Sequence, residues 1–179
     1  MSESVPELHK KDSAGSRKFA IITISTSRYD KYGNVPAPEA AEDLSGQLMR
    51  DELEASGHKV LAYRLVPDRE DEIVSALFSS LESGASIIIT SGGTGLTSGD
   101  VTIESLEPFF EKDIPGFGEL FRSKSLEEIG TSVILTRAAA GVVKGKAVFC
   151  LPGSPNAVRL ALREIIIPEA GHIVRHVGE

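Results

Sequence analysis

Four glycines, Gly92, Gly93, Gly95 and Gly99, fall within eight residues, and Asp100 and Glu104 stand just beyond them. Glycines at this density leave backbone N–H groups free to point at a ligand. Amides used this way suit a polyanion, and carboxylates beside them suit a metal ion that neutralises it. The loop is not a Walker A motif, because no Gly-Lys-Ser or Gly-Lys-Thr closes it. It misses the dinucleotide fingerprint by one position, with Ser98 where the third glycine belongs. A purely structural strand-to-helix turn would use the same glycines, so residue types alone leave both readings standing.

Each nearby acid also has a structural reading. Asp100 can serve a helix start, but Thr102 can take that cap and leave Asp100 for chemistry. Glu104 falls in a first turn, where the helix dipole favours a carboxylate anyway. Asp68 follows Pro67 at a strand end and, with Asp71 three residues on, reads as an N-cap. Asp43 and Ser45 read as the solvated face of a helix. Pro152-Gly153-Ser154 places small residues at a second helix start, a second candidate anion site. Cys150 lies in an apolar run and reads as a buried, inert thiol. The four histidines, His9, His58, His172 and His176, give no metal spacing, and no Gly-x-Ser-x-Gly elbow supports a hydrolase triad.

The elements that must position these residues follow from periodicity. Phe19–Ile24, 58–66 and 86–90 read as strands, and the last leads into the glycine loop. The segment 25–38, with two prolines, reads as a long functional loop. Ala41, Leu44, Leu48 and Ala55 predict one helix, and Val74, Leu77, Phe78 and Leu81 a second. A third is expected from Ile103 to about Glu111, and a fourth from Pro115 with Phe117, Leu120 and Phe121 inward. Segments 132–137 and 146–151 read as strands joined by a small-residue link, 138–145. Ser154 and Pro155 open a last helix with Val158, Ala161, Leu162 and Ile165 as its stripe, which Pro168 should kink or end. Alternating strands and helices predict an α/β fold with a mainly parallel twisted sheet between helices on both faces. Ligands in such folds bind beyond the carboxyl ends of the strands, where both glycine-bearing turns lie.

The 179 residues are 41% apolar and 25% charged, which suits one ordinary globular domain. A net charge of −7 without a basic stripe argues against a nucleic-acid platform. A single cysteine rules out an intrachain disulfide and fits the reducing cytoplasm. No apolar run approaches the roughly 18 residues that would suggest a membrane span. Residues 1–17 are polar and lack the apolar core of a signal peptide, so a flexible arm is expected ahead of one domain, 18–179.

Six segments, in order, resemble the molybdenum cofactor biosynthesis protein B family. They are Thr-Ser-Gly-Gly-Thr-Gly at 90–95, Gly-Asp-Val-Thr-Ile-Glu at 99–104, Pro-Gly-Phe-Gly-Glu at 115–119, Glu-Ile-Gly-Thr-Ser at 128–132, Arg-Ala-Ala-Ala-Gly at 137–141 and Leu-Pro-Gly-Ser-Pro at 151–155. The resemblance implies a three-layer α/β/α sandwich that assembles as a homotrimer or a dimer of trimers. It implies Mg²⁺-dependent adenylylation of molybdopterin by ATP, releasing pyrophosphate, and hand-off of the product to a molybdenum-insertion enzyme. It also admits a non-catalytic molybdopterin carrier and a related nucleotide-processing hydrolase. By position, Asp100 matches the essential aspartate, with Mg²⁺ bound directly or through water, and Asp68 matches a second functional acid. Gly92, Gly93, Thr94 and Gly95 match the phosphate loop, and Pro152, Gly153 and Ser154 the pterin loop. Ser25, Ser45, Gly46, Thr102, Glu104 and Arg137 complete the implied substrate site. The chain departs from the family pattern at Gly99, where many members carry a cation, at Thr26 after Ser25, and at Thr136.

Overall fold

Phe19-Ala-Ile-Ile-Thr-Ile24 offers water no polar side, and the structure buries both of its faces. The computed structural model describes residues 15–178; most of the expected arm, residues 1–14, and His9 lie outside them. Lys18–Ile24 (β1), Lys59–Val66 (β2), Ile87–Ser91 (β3), Lys112–Asp113 (β4), Ala139–Val143 (β5) and Lys146–Leu151 (β6) form one sheet in the order β2-β1-β3-β6-β5-β4. The first four are parallel, and β5 and β4 add an antiparallel edge.

Seven α-helices accompany the sheet among the described residues: Thr26–Tyr32 (α1), Leu44–Ala55 (α2), Glu70–Glu82 (α3), Thr102–Leu106 (α4), Pro115–Ile129 (α5), Pro155–Ala161 (α6) and Ile167–Val177 (α7). Strand alternation divides the core in two. Phe19, Ile21, Ile87, Ile89 and Phe149 pack with Met49, Leu53, Phe117 and Phe121 under α2 and α5. Ala20, Ile22, Ile88 and Val148 pack with Ile73, Leu77 and Leu106 under α3 and α4. Each fully buried Ile or Phe contributes about 1.5–3 kcal/mol. The expected sandwich is therefore present, with its sheet mixed at one edge. Cys150 lies wholly buried in β6, where burial pushes its thiol up to about 12.

Several boundaries differ from the sequence reading. The segment 25–38 is not all loop, because α1 occupies Thr26–Tyr32 and a 3₁₀ turn runs over Pro38–Ala41. Segment 132–137 is not a strand; Gly130–Leu135 is a 3₁₀ turn. The strand comes from the supposed link, since β5 and β6 meet through a two-residue turn at Lys144 (φ +49°) and Gly145 (φ +68°). Two positive φ values match the right-handed twist of paired strands. In α2 the buried face is Ser45, Met49 and Leu53, while Leu44 and Ala55 are exposed, because Asp43 caps the helix through the Gly46 amide and fixes its rotation. Leu120 likewise points outward between buried Phe117 and Phe121. The helix expected from Ile103 to Glu111 stops at Leu106, because Pro108 has no N–H to continue the hydrogen-bond ladder; Glu107 keeps helical dihedrals and opens a 3₁₀ turn to Phe109. Pro168 does not end the last helix. A π-helical turn over Leu162–Ile166 widens the ladder just before it, and α7 continues to Val177.

Candidate active site

The parallel strands β1, β2, β3 and β6 all end at one edge, and the glycine loop leaves from β3 in its middle. The Gly92 amide donates to the Leu151 carbonyl at 3.0 Å, which pins the loop to β6. Gly92 has φ +106°, and any Cβ there would overlap the Ile24 carbonyl oxygen at the end of β1. A Cβ on Gly153 would lie 3.3 Å from Gly92 Cα, so the two glycine turns nearly touch. Glycine here is a requirement of close backbone approach.

Thr102 does not cap α4 with its side chain; it is the helix's first residue. Its hydroxyl donates to the Gly92 carbonyl at 2.8 Å and its amide to the Gly93 carbonyl at 2.9 Å. With those carbonyls turned toward α4, the Gly93 and Thr94 N–H groups hold no protein partner among the described residues. Thr94 itself is buried. Amides within a fold normally find an acceptor, so two left open side by side, one on half-buried Gly93 and one on buried Thr94, can cradle an anion.

Both candidate acids border this cradle. A Cβ on Gly93 would stand 2.8 Å from Asp68 Oδ1, and one on Gly95 would stand 2.7 Å from Asp100 Oδ2. Asp68 does not cap its own following helix, whose first turn begins without a side-chain cap. Instead Asp68 Oδ2 accepts from the Thr26 amide at 2.9 Å and hydroxyl at 2.8 Å, and caps α1 across the site. Thr26, where the chain departs from the family pattern, is thus the residue that orients Asp68. Asp100 Oδ2 accepts from the Thr97 amide at 3.0 Å and hydroxyl at 2.6 Å. These Thr97 contacts, with the Gly95 amide and the Arg137 charge, hold the Asp100 carboxyl below its ordinary range against partial burial.

Arg137 links the loop to α4. Its Nη1 donates to the Gly95 carbonyl at 3.0 Å and its Nη2 pairs with Glu104. Partial burial works against ionising Glu104, yet its own backbone amide and Arg137 outweigh this and keep its carboxyl low. Arg137 therefore supplies, from a distant part of the chain, positive charge beside Asp100 that Gly99 cannot.

On the other side of the cradle, Ser25, Arg28, Lys31, Ser45, Ser91 and Gly153 line a cleft of about 550 Å³, a size suited to a small-molecule ligand. Ser45 is buried rather than solvated, and its hydroxyl donates to the Gly153 carbonyl at 2.8 Å. Asp43 is buried too, accepting from Thr23 at 2.7 Å, Tyr63 at 2.9 Å and the Gly46 amide at 3.0 Å. Gly46 has no room for a side chain beside Asp43 and Pro38. These residues shape the wall of the cleft. Ser154 caps α6 through the Ala157 amide at 3.3 Å. Sequence reasoning missed Arg28 and Lys31, the cations of the cleft. Their helix has no apolar stripe to betray it, although Ser25 before it and Gly33 after it (φ +67°) are helix-boundary residues. Among the described residues no three His, Cys, Asp or Glu side chains converge as a metal cage.

The chain is similar to known proteins. A family model described as "Probable molybdopterin binding domain" matches residues 20–172. A Pyrococcus furiosus protein named molybdopterin adenylyltransferase is 46% identical over 177 residues, covering 97% of this chain and 98% of its own. Molybdenum cofactor biosynthesis protein B of Bacillus subtilis is 40% identical over 171 residues, covering 94% and 95%. The crystal structure of tungsten cofactor synthesizing protein MoaB from Pyrococcus furiosus superposes with a TM-score of 0.80 at 42% identity, covering 93% of this chain and 99% of that one. The cradle, its two acids and its cleft thus sit on a scaffold whose relatives match along nearly its whole length, and the chain belongs to the molybdopterin-binding family of molybdenum cofactor biosynthesis.

Proposed function

We propose that the protein is a molybdopterin adenylyltransferase, joining ATP and molybdopterin to give adenylylated molybdopterin and pyrophosphate. The observation that carries this reading is the pair of open amides at Gly93 and Thr94, flanked by Asp68 on one side and Asp100 on the other. Two anions must meet for this reaction. The terminal phosphate oxygen of the pterin attacks the α-phosphorus of ATP; the new P–O bond forms as the α–β anhydride bond breaks, and pyrophosphate leaves. Little covalent chemistry falls to the protein, so positioning and charge neutralisation carry the rate. The cradle amides hold phosphate oxygens, and Arg28 and Lys31 bring positive charge to the cleft, Lys31 while pairing with Glu42 on the same wall.

Mg²⁺ fits this donor set. It favours one or two carboxylates completed by substrate phosphates and water, and the site offers separate carboxylates rather than a closed protein cage. Asp100 is the residue that would hold it, directly or through water, and the ion would neutralise charge building on the phosphates.

Purified protein incubated with molybdopterin and Mg-ATP should release pyrophosphate only when the pterin is present. Asp100→Asn, folded by circular dichroism, should lower that rate about 10²–10³-fold, the usual cost of losing one electrostatic group from a transition state. Near-normal transfer by Asp100→Asn removes Asp100 from the mechanism. The glycine at 99 favours one other reading, a carrier that binds molybdopterin without turnover; binding without pyrophosphate release in the same assay selects it. Nucleotide cleavage without pterin would instead select a hydrolase.

A further inference from the structure

We propose that His172 and His176 form a chelating site for one divalent transition-metal ion of the zinc, cobalt or nickel class, remote from the glycine loop. The sequence reading found no metal spacing among the four histidines, these two included. On α7 the two residues are four apart, so their rings lie on one face. Their Nε2 atoms stand 2.8 Å apart, with ring centroids 4.5 Å apart and ring planes at 71°. Two lone pairs cannot face each other at that distance, so a proton lies between them. His172 Nδ1 is 3.4 Å from Glu169 Oε2, one turn earlier on the helix. A carboxylate there holds the hydrogen on Nδ1, which leaves His172 Nε2 as a lone-pair donor. His176 Nε2 then carries the shared proton in the metal-free protein.

When the hydrogen of His176 moves to its Nδ1, both rings stay neutral, both Nε2 atoms present converging lone pairs, and a cation takes the place of the shared proton. Nitrogen ligands about 2.0–2.1 Å from an ion stand roughly 3 Å apart when adjacent, so the rings need move only a few tenths of an ångström. A carboxylate fixing the outer nitrogen of a ligand histidine is the usual support for such a site. The pair also lines a cavity of about 680 Å³ whose walls carry the carboxylates of Glu111 and Asp113. That space leaves water room to complete the coordination shell, and its two carboxylates outnumber its one ammonium, Lys112. Mg²⁺, which prefers oxygen ligands, does not compete for the site.

The test uses the full chain, stripped with a chelator and titrated near neutral pH with Co²⁺, read by its absorption bands, and with Zn²⁺, read by calorimetry. One ion should bind per chain, excess Mg²⁺ should not displace it, and Zn²⁺ should raise the melting temperature. Glu169→Gln should weaken binding about tenfold, the low end for loss of such an outer carboxylate. His172→Ala with His176→Ala should abolish both the stoichiometric binding and the melting shift, while His58→Ala leaves them intact. Binding that persists in a folded double variant overturns the site, and so does a wild-type chain that takes up no ion. Neither readout depends on catalysis, so this result stands apart from that of the transfer assay.

Discussion

Asp100 draws on its surroundings to stay ionised. Thr97 donates to it twice, and its folded carboxyl lies below the ordinary value near 3.8. A carboxyl depressed in the folded state binds protons more readily when unfolded. Its stabilising contribution is therefore complete above the unfolded value and disappears as pH falls through the folded one. Urea melts of wild type and Asp100→Asn should differ by a constant amount from neutral pH down to the ordinary carboxylate range, and converge below it. Convergence at higher pH, near neutrality, would contradict the depressed carboxyl. Gly93 is the sharper probe of the cradle. It has φ +62°, and a Cβ would meet both Thr102 Oγ1 and Asp68 Oδ1. Gly93→Ala should cost about 1–3 kcal/mol of stability through backbone strain, measured by denaturant unfolding. It should also remove pterin-dependent pyrophosphate release, because the methyl displaces an acid of the site. The loop and its acids were legible from residue types at fixed spacing. The Thr26 clamp on Asp68 was not, because that contact joins residues 42 apart in the chain; Arg28 and Lys31 were not, because their short helix carries no apolar stripe.

At the level of elements, legibility followed the strength of the apolar pattern. Phe19–Ile24 and Ile87–Ile89 are dense β-branched runs, and the structure holds both as central parallel strands. Ala139–Val143 is weaker, small-residue sequence, and it became a strand because a tight turn folds it back on β6. Asn-Gly is the familiar signal of such a turn; here the pair is Lys-Gly, and Lys144 accepts a left-handed conformation while its ammonium lies 4.9 Å over the Phe78 ring. Pro168 misled for the opposite reason. Local chemistry calls for a break, and the π-helical turn at Leu162–Ile166 absorbs the fault so that the continuous helix can keep Ile165, Ile166 and Ala170 in the core. The turn's weight in the fold can be measured. Gly145→Ala forces a side chain into φ +68° and should destabilise the protein by about 1–2 kcal/mol in denaturant unfolding. An unchanged midpoint would mean that the edge strands hold their register without the turn.

For the whole molecule, the unresolved balance is apolar surface. Ile134 is 81% exposed and Leu135 59%, and Leu126 and Ile129 on α5 are about half exposed. Soluble monomers seldom leave large side chains clustered in the open, and such clusters mark contact with another protein. We propose that copies of this chain cover the corner, in the trimer or hexamer that the family resemblance implies. The corner runs directly into Arg137, which anchors the glycine loop through Gly95 and pairs with Glu104. Assembly and site are then linked through a few residues of backbone: a second copy that immobilises the 130–135 turn also immobilises the guanidinium beside Asp100. Size-exclusion chromatography with light scattering should give the mass of a trimer or its double for the wild type. Ile134→Glu with Leu135→Glu places charge on solvent-facing positions, so the fold should survive while the mass falls toward one chain. Pyrophosphate release should drop with it, through loss of order around Arg137 rather than loss of any site residue. A wild type that runs as a single chain at micromolar concentration would remove the assembly, and a double variant that dissociates with full activity would remove the link to Arg137.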